Sequence, residues 1–82
     1  MKVVLSNRAI ESLNGAPQNV RRAFEKQLRF LVSNLQHPSL HAKKYDEPRD
    51  IWQARVNKDW RFYFSIRDDI YTIEKVIPHP KN

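Results

Sequence analysis

The chain has no cysteine and a single glycine. Without cysteine, disulfides, thiolate nucleophiles and Cys-based zinc sites are excluded. With Gly15 alone there is no glycine-rich phosphate loop, and no nucleophile elbow is present either. Long apolar runs are missing too. None approaches the roughly 20 residues that cross a bilayer. The opening MKVVLSNRA carries one lysine but lacks the apolar core of about 7–15 residues found in a secretory signal. The expected location is the cytoplasm. Acids are scarce: nine Asp and Glu stand against fifteen Lys and Arg, for a formal charge of +6. No two of them read as a paired catalytic set.

What is present fits one domain spanning residues 1–82, with 40% hydrophobic and 29% charged residues. A chain this short buries only about 60–65% of its unfolded surface, and its stability is on the order of 4–12 kcal/mol. A deep cofactor cavity would consume most of such a core. A surface groove or flat face is expected, with no cofactor. The cationic excess favours a polyanionic partner, whether RNA, DNA or an acidic protein segment. The alternative is that it only keeps the chain soluble. Of the three histidines, His37 and His41 are four apart, but Pro38 prevents one helix from carrying both, so no metal site is expected.

Lys2–Leu5 is apolar and β-branched enough for a short strand. Ser6 or Asn7 can cap a helix with Ala9, Ile10 and Leu13 on one side. Asn14-Gly15-Ala16-Pro17 ends it, with Gly15 where a left-handed cap residue is wanted. Pro17 fits the first turn of a second helix. Val20, Phe24, Leu28, Leu31 and Leu35 then form an amphipathic stripe that stops before His37-Pro38. The stretch Ser39–Asp50 reads as irregular.

From Ile51 the pattern alternates. Trp52, Ala54 and Val56 match Trp60, Phe62, Phe64 and Ile66 across a three-residue loop, Asn57-Lys58-Asp59. That loop length sets Val56 opposite Trp60, Ala54 opposite Phe62 and Trp52 opposite Phe64, all on one face against the helices. Gln53, Arg55, Arg61 and Tyr63 fall on the outer face. A two-residue turn at Asp68-Asp69 then leads into a last strand, Ile70–Ile77. It pairs Tyr63 with Glu74 and points Lys75 toward the core, so the last strand has to lie at an edge or bend. Arg55 and Arg61 face each other, a repulsion that needs an anion. Glu74 can supply it from within the fold, or a bound phosphate from outside, since a guanidinium fork fits phosphate oxygens. His79, just beyond the last strand, can exchange protons near neutral pH. Lys43 and Lys44 are candidate phosphate contacts.

Strand, helix, helix and a three-stranded antiparallel meander, an α+β arrangement with a curved sheet packed on the helices, resembles the RelE/ParE toxin superfamily of bacterial toxin–antitoxin systems. The segment IWQARVNKDWRFYFSI (51–66), the acidic turn and strand at 68–77, and His79, where YoeB-like members also carry a histidine, are the residues that bear the likeness. PSLHAKK is similar to the basic stretch preceding the sheet in many members. The resemblance implies a metal-independent endoribonuclease cleaving mRNA, commonly on the ribosome, by attack of the 2′-hydroxyl on the adjacent phosphate. It assigns Arg61 to the phosphate and His79 to proton transfer, and Lys43, Lys44 and Arg55 to the RNA. It implies an acidic, partly disordered antitoxin as partner. Two departures stand out. Pro80-Lys81-Asn82 stands where the family often has an aromatic after the histidine, so that role is either missing or supplied by Tyr63. No acid aligns with the glutamate base of YoeB-like members, with Asp46, Glu47 and Glu74 as possible replacements. A gyrase-binding toxin of the ParE kind, without nuclease chemistry, and a basic RNA-binding relative without activity are the other readings.

Overall fold

The structure, a computed structural model, describes residues 2–79. Strand β1 (Lys2–Leu5) leads into helix α1 (Asn7–Asn14) and then helix α2 (Gln18–Ser33). A 3-10 turn (Pro38–Leu40) precedes strands β2 (Lys43–Asp46), β3 (Ile51–Arg55), β4 (Trp60–Arg67) and β5 (Ile70–Pro78). The five strands form one sheet in the order β1-β5-β4-β3-β2, with β1 parallel to β5 and the others antiparallel. No helix among the described residues is long and apolar enough to cross a membrane.

The core lies between one face of this sheet and the helices. Phe62, Phe64 and Ile73 are fully buried, and Phe24 of α2 sits edge-on against Phe62 at 5.4 Å. Val20, Phe24 and Leu31 of the helical stripe are buried, while α2 ends at Ser33 and leaves Leu35 beyond it, packed against the core. Pro17 is the residue before α2 rather than inside its first turn.

Ser6 caps α1 as its residue type predicts. Its hydroxyl accepts from the Ala9 N–H at 3.1 Å and donates to the Glu74 carbonyl at 2.8 Å. Gly15 departs from expectation: it is right-handed, at φ −90° and ψ −3°, so no left-handed turn requires glycine there. A Cβ at this position would meet only the Glu11 and Ser12 carbonyl oxygens, at 3.8 and 3.9 Å. Gly15→Ala is therefore expected to raise stability by about 0.4–1 kcal/mol, by restricting the unfolded chain, as a shifted urea midpoint would register.

The β3–β4 hairpin has the register set by the three-residue loop: Trp52 opposite Phe64, Gln53 opposite Tyr63, Ala54 opposite Phe62 and Arg55 opposite Arg61. The β4–β5 pairing corrects the expected one. Tyr63 pairs with Lys75 and Phe64 with Ile73, so Glu74 is an extra, bulged residue. The bulge lets both Ile73 and Val76 enter the core and turns Lys75 to the outer face, where its ammonium lies 4.7 Å from the Tyr63 ring. The last strand is thus bent, and it is internal to the sheet. The bulge takes the Glu74 carbonyl out of the regular ladder, and the Ser6 hydroxyl bonds to it. The turn into β5 has both Asp68 (φ 50°) and Asp69 (φ 63°) left-handed, as a tight two-residue hairpin requires.

The fourth strand of the expected count becomes a fifth because β2 forms within the stretch read as irregular. Lys43 pairs with Gln53 and Lys44 with Trp52, with a bulge before Asp46. A lysine-rich, bulged strand at a sheet edge hides from periodicity and blunts an open edge against further pairing.

A candidate nucleic-acid groove on the outer face

The outer face of the sheet is less exposed than its sequence suggests. Tyr63 is only 4% exposed: its hydroxyl accepts from Gln53 Nε2 at 2.8 Å, Tyr45 packs edge-on at 4.8 Å, and Lys75 covers the ring. Gln53 is buried with it. Tyr63, expected to contact RNA and to replace the missing aromatic, is instead an internal strut, and its ring is not available for stacking a base.

At the end of this face a groove of about 410 Å³ opens. Lys43, Arg55, Arg61, His41 and His79 line it, with Gln53 in its wall. Strand pairing explains the convergence. Arg61 faces Arg55 on one side and Ile77 on the other, and His79, two residues on from Ile77, shares that face. The His79 N–H donates to the Asp59 carbonyl at 2.7 Å, which anchors the chain beside the hairpin loop. Lys43 enters from the edge strand through its pairing with Gln53. Among the described residues no Asp or Glu side chain lines the groove.

Arg61 is held by its own hairpin. Its Nη1 donates to the carbonyls of Asn57 at 2.8 Å and Trp60 at 2.9 Å, with a longer bond of 3.4 Å to that of Lys58. The loop is fixed in turn by the Asn57 side chain, whose Oδ1 accepts from the Asp59 and Trp60 N–H groups, each at 2.9 Å. These carbonyls hold the Arg61 guanidinium, while Glu74 lines a different hollow. Burial depresses the Arg61 pKa from its ordinary value, and the charge of Arg55 adds to that, while Tyr63 and Asp59 act in the opposite direction. A cation that is partly desolvated and next to another cation gains from an incoming anion.

Arg55 is positioned from behind. Gln27, 4% exposed on α2, donates from Nε2 to the Arg55 carbonyl at 2.7 Å and to the Ser39 carbonyl at 3.0 Å, and its Oε1 accepts from the Ser39 hydroxyl at 3.0 Å. One side chain thereby ties α2, the 3-10 turn and the end of β3. Gln27→Leu is expected to cost about 1–3 kcal/mol, because it leaves these partners without their bonds. Chemical denaturation measures it, and an unchanged midpoint would mean the three bonds contribute nothing.

Other expected residues lie elsewhere. Lys44 is on the opposite face from Lys43, paired with Asp50 and stacked 5.2 Å from the Trp52 ring; its hydrogen bond to Asp50 raises its pKa. Asp46 is bound up with Arg49, accepting its N–H at 3.3 Å with a charge contact at 3.7 Å. Neither it nor Glu47 nor Glu74 reaches the groove. Pro80–Asn82, where the family's aromatic is absent, lie outside the described residues. His41, weighed from the sequence only as a metal ligand with His37, is in the groove. The 3-10 turn ends on it in a left-handed conformation, φ 47°, and no periodic pattern covers that segment.

No protein-family model and no curated protein matches the sequence. Solved structures do resemble the fold. The RelE–RelB complex from Pyrococcus horikoshii OT3 contains a chain with a TM-score of 0.82 at 20% identity, covering 99% of this chain and 97% of that one. The YoeB dimer from Staphylococcus aureus gives 0.81 at 14% identity, covering 98% of each chain. YafQ from E. coli gives 0.78 at 14% identity, over 95% of this chain and 92% of the other. Mixed sheet, helical pair and strand order all belong to one architecture: this chain has the RelE/ParE toxin fold.

Proposed function

We propose that this chain is the toxin of a type II toxin–antitoxin pair and that it cleaves mRNA, on the ribosome, as a metal-independent endoribonuclease. The observation that carries the reading is the meeting of Arg61 and His79 in one open cationic groove lined, among the described residues, by no Asp or Glu. In the proposed step the His79 imidazole takes the 2′-hydroxyl proton and the freed oxygen attacks the adjacent phosphorus. A 2′-O–P bond forms, the P–O5′ bond breaks, and the departing oxygen takes a proton from water. The products are a 2′,3′-cyclic phosphate and a 5′-hydroxyl. Negative charge grows on the non-bridging oxygens, and Arg61 opposes it. The loop carbonyls occupy its Nη1, leaving the Nε and Nη2 donors for the phosphate. Lys43 and Arg55 hold the strand through its backbone.

An acidic antitoxin segment laid over the same groove would neutralise it. The P. horikoshii RelE was solved together with RelB, which supports a partner of this kind.

Induction of the chain in bacteria tests the reading. Growth arrest with new mRNA ends, relieved by Arg61→Ala and by His79→Ala, is expected. Arrest with DNA breaks and intact mRNA would select the gyrase-directed alternative. Normal growth at high expression would reject a toxin altogether.

A further inference from the structure

We propose that a second phosphate site lies beside the first, in the hollow between α2 and the β3–β4 loop, where Lys26 and Lys58 anchor the next stretch of the same RNA strand. The inference rests on the reading of the Arg61 groove as an RNA site. The second hollow has a volume of about 380 Å³ and shares His41 and Arg55 with the first, so the two form one furrow divided by that pair. Lys26 rises from α2 on one side, its ammonium 5.9 Å from the Phe30 ring, and Lys58 projects from the exposed hairpin loop on the other. As in the first hollow, no Asp or Glu among the described residues lines it.

A phosphodiester chain is a repeating anion, so a strand clasped at Arg61 has to carry its next charges somewhere. The other hollow on the outer face offers a poor continuation, because Asp46 and Glu74 stand there among Arg8, Arg49 and Lys75. The hollow between the two helices is lined chiefly by Leu5, Leu13, Phe24 and Leu28 and suits no phosphate. The Lys26–Lys58 hollow presents cations without competing acids, next to Arg55. Its polar floor makes no demand on a ligand, since Gln27 and Ser39 satisfy each other. Among the described residues no Phe, Tyr or Trp lines either half of the furrow, so bases are not gripped by stacking on such rings. Anchoring here acts on the backbone and is indifferent to sequence.

Binding of 2′-O-methyl oligonucleotides, which lack the attacking hydroxyl, separates this site from the chemistry. A hexanucleotide is followed by fluorescence anisotropy across a salt series and a dinucleoside monophosphate by NMR shifts. The Lys26→Ala/Lys58→Ala variant is expected to weaken the hexamer about tenfold and to lower the slope of log K against log salt by about 1.4, with the dinucleotide within about twofold of wild type. The control Lys2→Ala/Arg67→Ala removes the same charge from exposed positions that line neither half of the furrow and is expected to leave the hexamer slope in place. An unchanged slope in the first variant, or an equal loss in the control, overturns the second site while the Arg61 site stands. A wild-type chain that binds neither ligand removes the RNA reading itself.

Discussion

Arg61→Ala is expected to slow RNA cleavage about 10²–10³-fold, the cost typical of removing one preorganised donor to a developing oxyanion. The effect is expected on the chemical step, because in the proposed reaction Arg61 would meet the phosphate where its charge grows, whereas Lys43 and Arg55 would hold the strand in ground and transition states alike. The fold is expected to survive. The carbonyls of Asn57 and Trp60 that lose their partner belong to a partly exposed loop and can turn to water, and the loop keeps its two bonds to the Asn57 side chain. Arg61→Lys is expected to recover little. An ammonium cannot bond the loop carbonyls through one nitrogen while presenting a planar fork through the others. Single-turnover cleavage of ribosome-bound mRNA measures the loss. A rate within about twofold of wild type would remove Arg61 from the mechanism.

His79→Ala is expected to lower the rate about 10²–10⁴-fold, the range for loss of a positioned general base. This substitution isolates the imidazole, since the bond that seats the residue runs from its main-chain N–H to the Asp59 carbonyl and is retained in alanine. RNA affinity is expected to hold. Free imidazole in the buffer is expected to restore part of the activity, because the groove is open and the vacated volume adjoins Arg61 and Arg55. Rescue of His79→Ala without rescue of Arg61→Ala would separate proton transfer from charge stabilisation. Failure of both affinity and rescue would make His79 a structural residue.

The parts of this arrangement that were legible in the sequence are those governed by strict alternation. The Asn57–Asp59 loop and its flanking aromatics fix the β3–β4 register, and that register places Arg55 across from Arg61. The placement of His79 on the same face was not legible from alternation, because the regular register sets Val76 opposite Arg61 and only the bulge at Glu74 brings Ile77 there. Its trace is the pair of buried residues Ile73 and Val76, three apart where regular alternation allows two or four. Strand β2 was illegible, since an edge strand of the sequence KKYD carries charge where a central one carries apolar residues. The burial of Tyr63 was equally hidden. It depends on Tyr45 and Lys75, which flanking strands bring over the ring from distant parts of the chain. Gln27 interrupts nothing in the helical stripe and gives no sign that it braces Arg55.

The ends of the RNA fragments test the central claim most directly. Wild-type protein, incubated with ribosomes programmed with a defined mRNA, is sampled, and the cleaved mRNA is then freed from the ribosomes for end analysis. Fragments ending in a 2′,3′-cyclic phosphate and starting with a 5′-hydroxyl, and absent from the Arg61→Ala reaction, are the expected result. Fragments ending in a 3′-hydroxyl and starting with a 5′-phosphate, or cuts that Arg61→Ala leaves undiminished, would contradict attack by the 2′-oxygen in the Arg61–His79 groove.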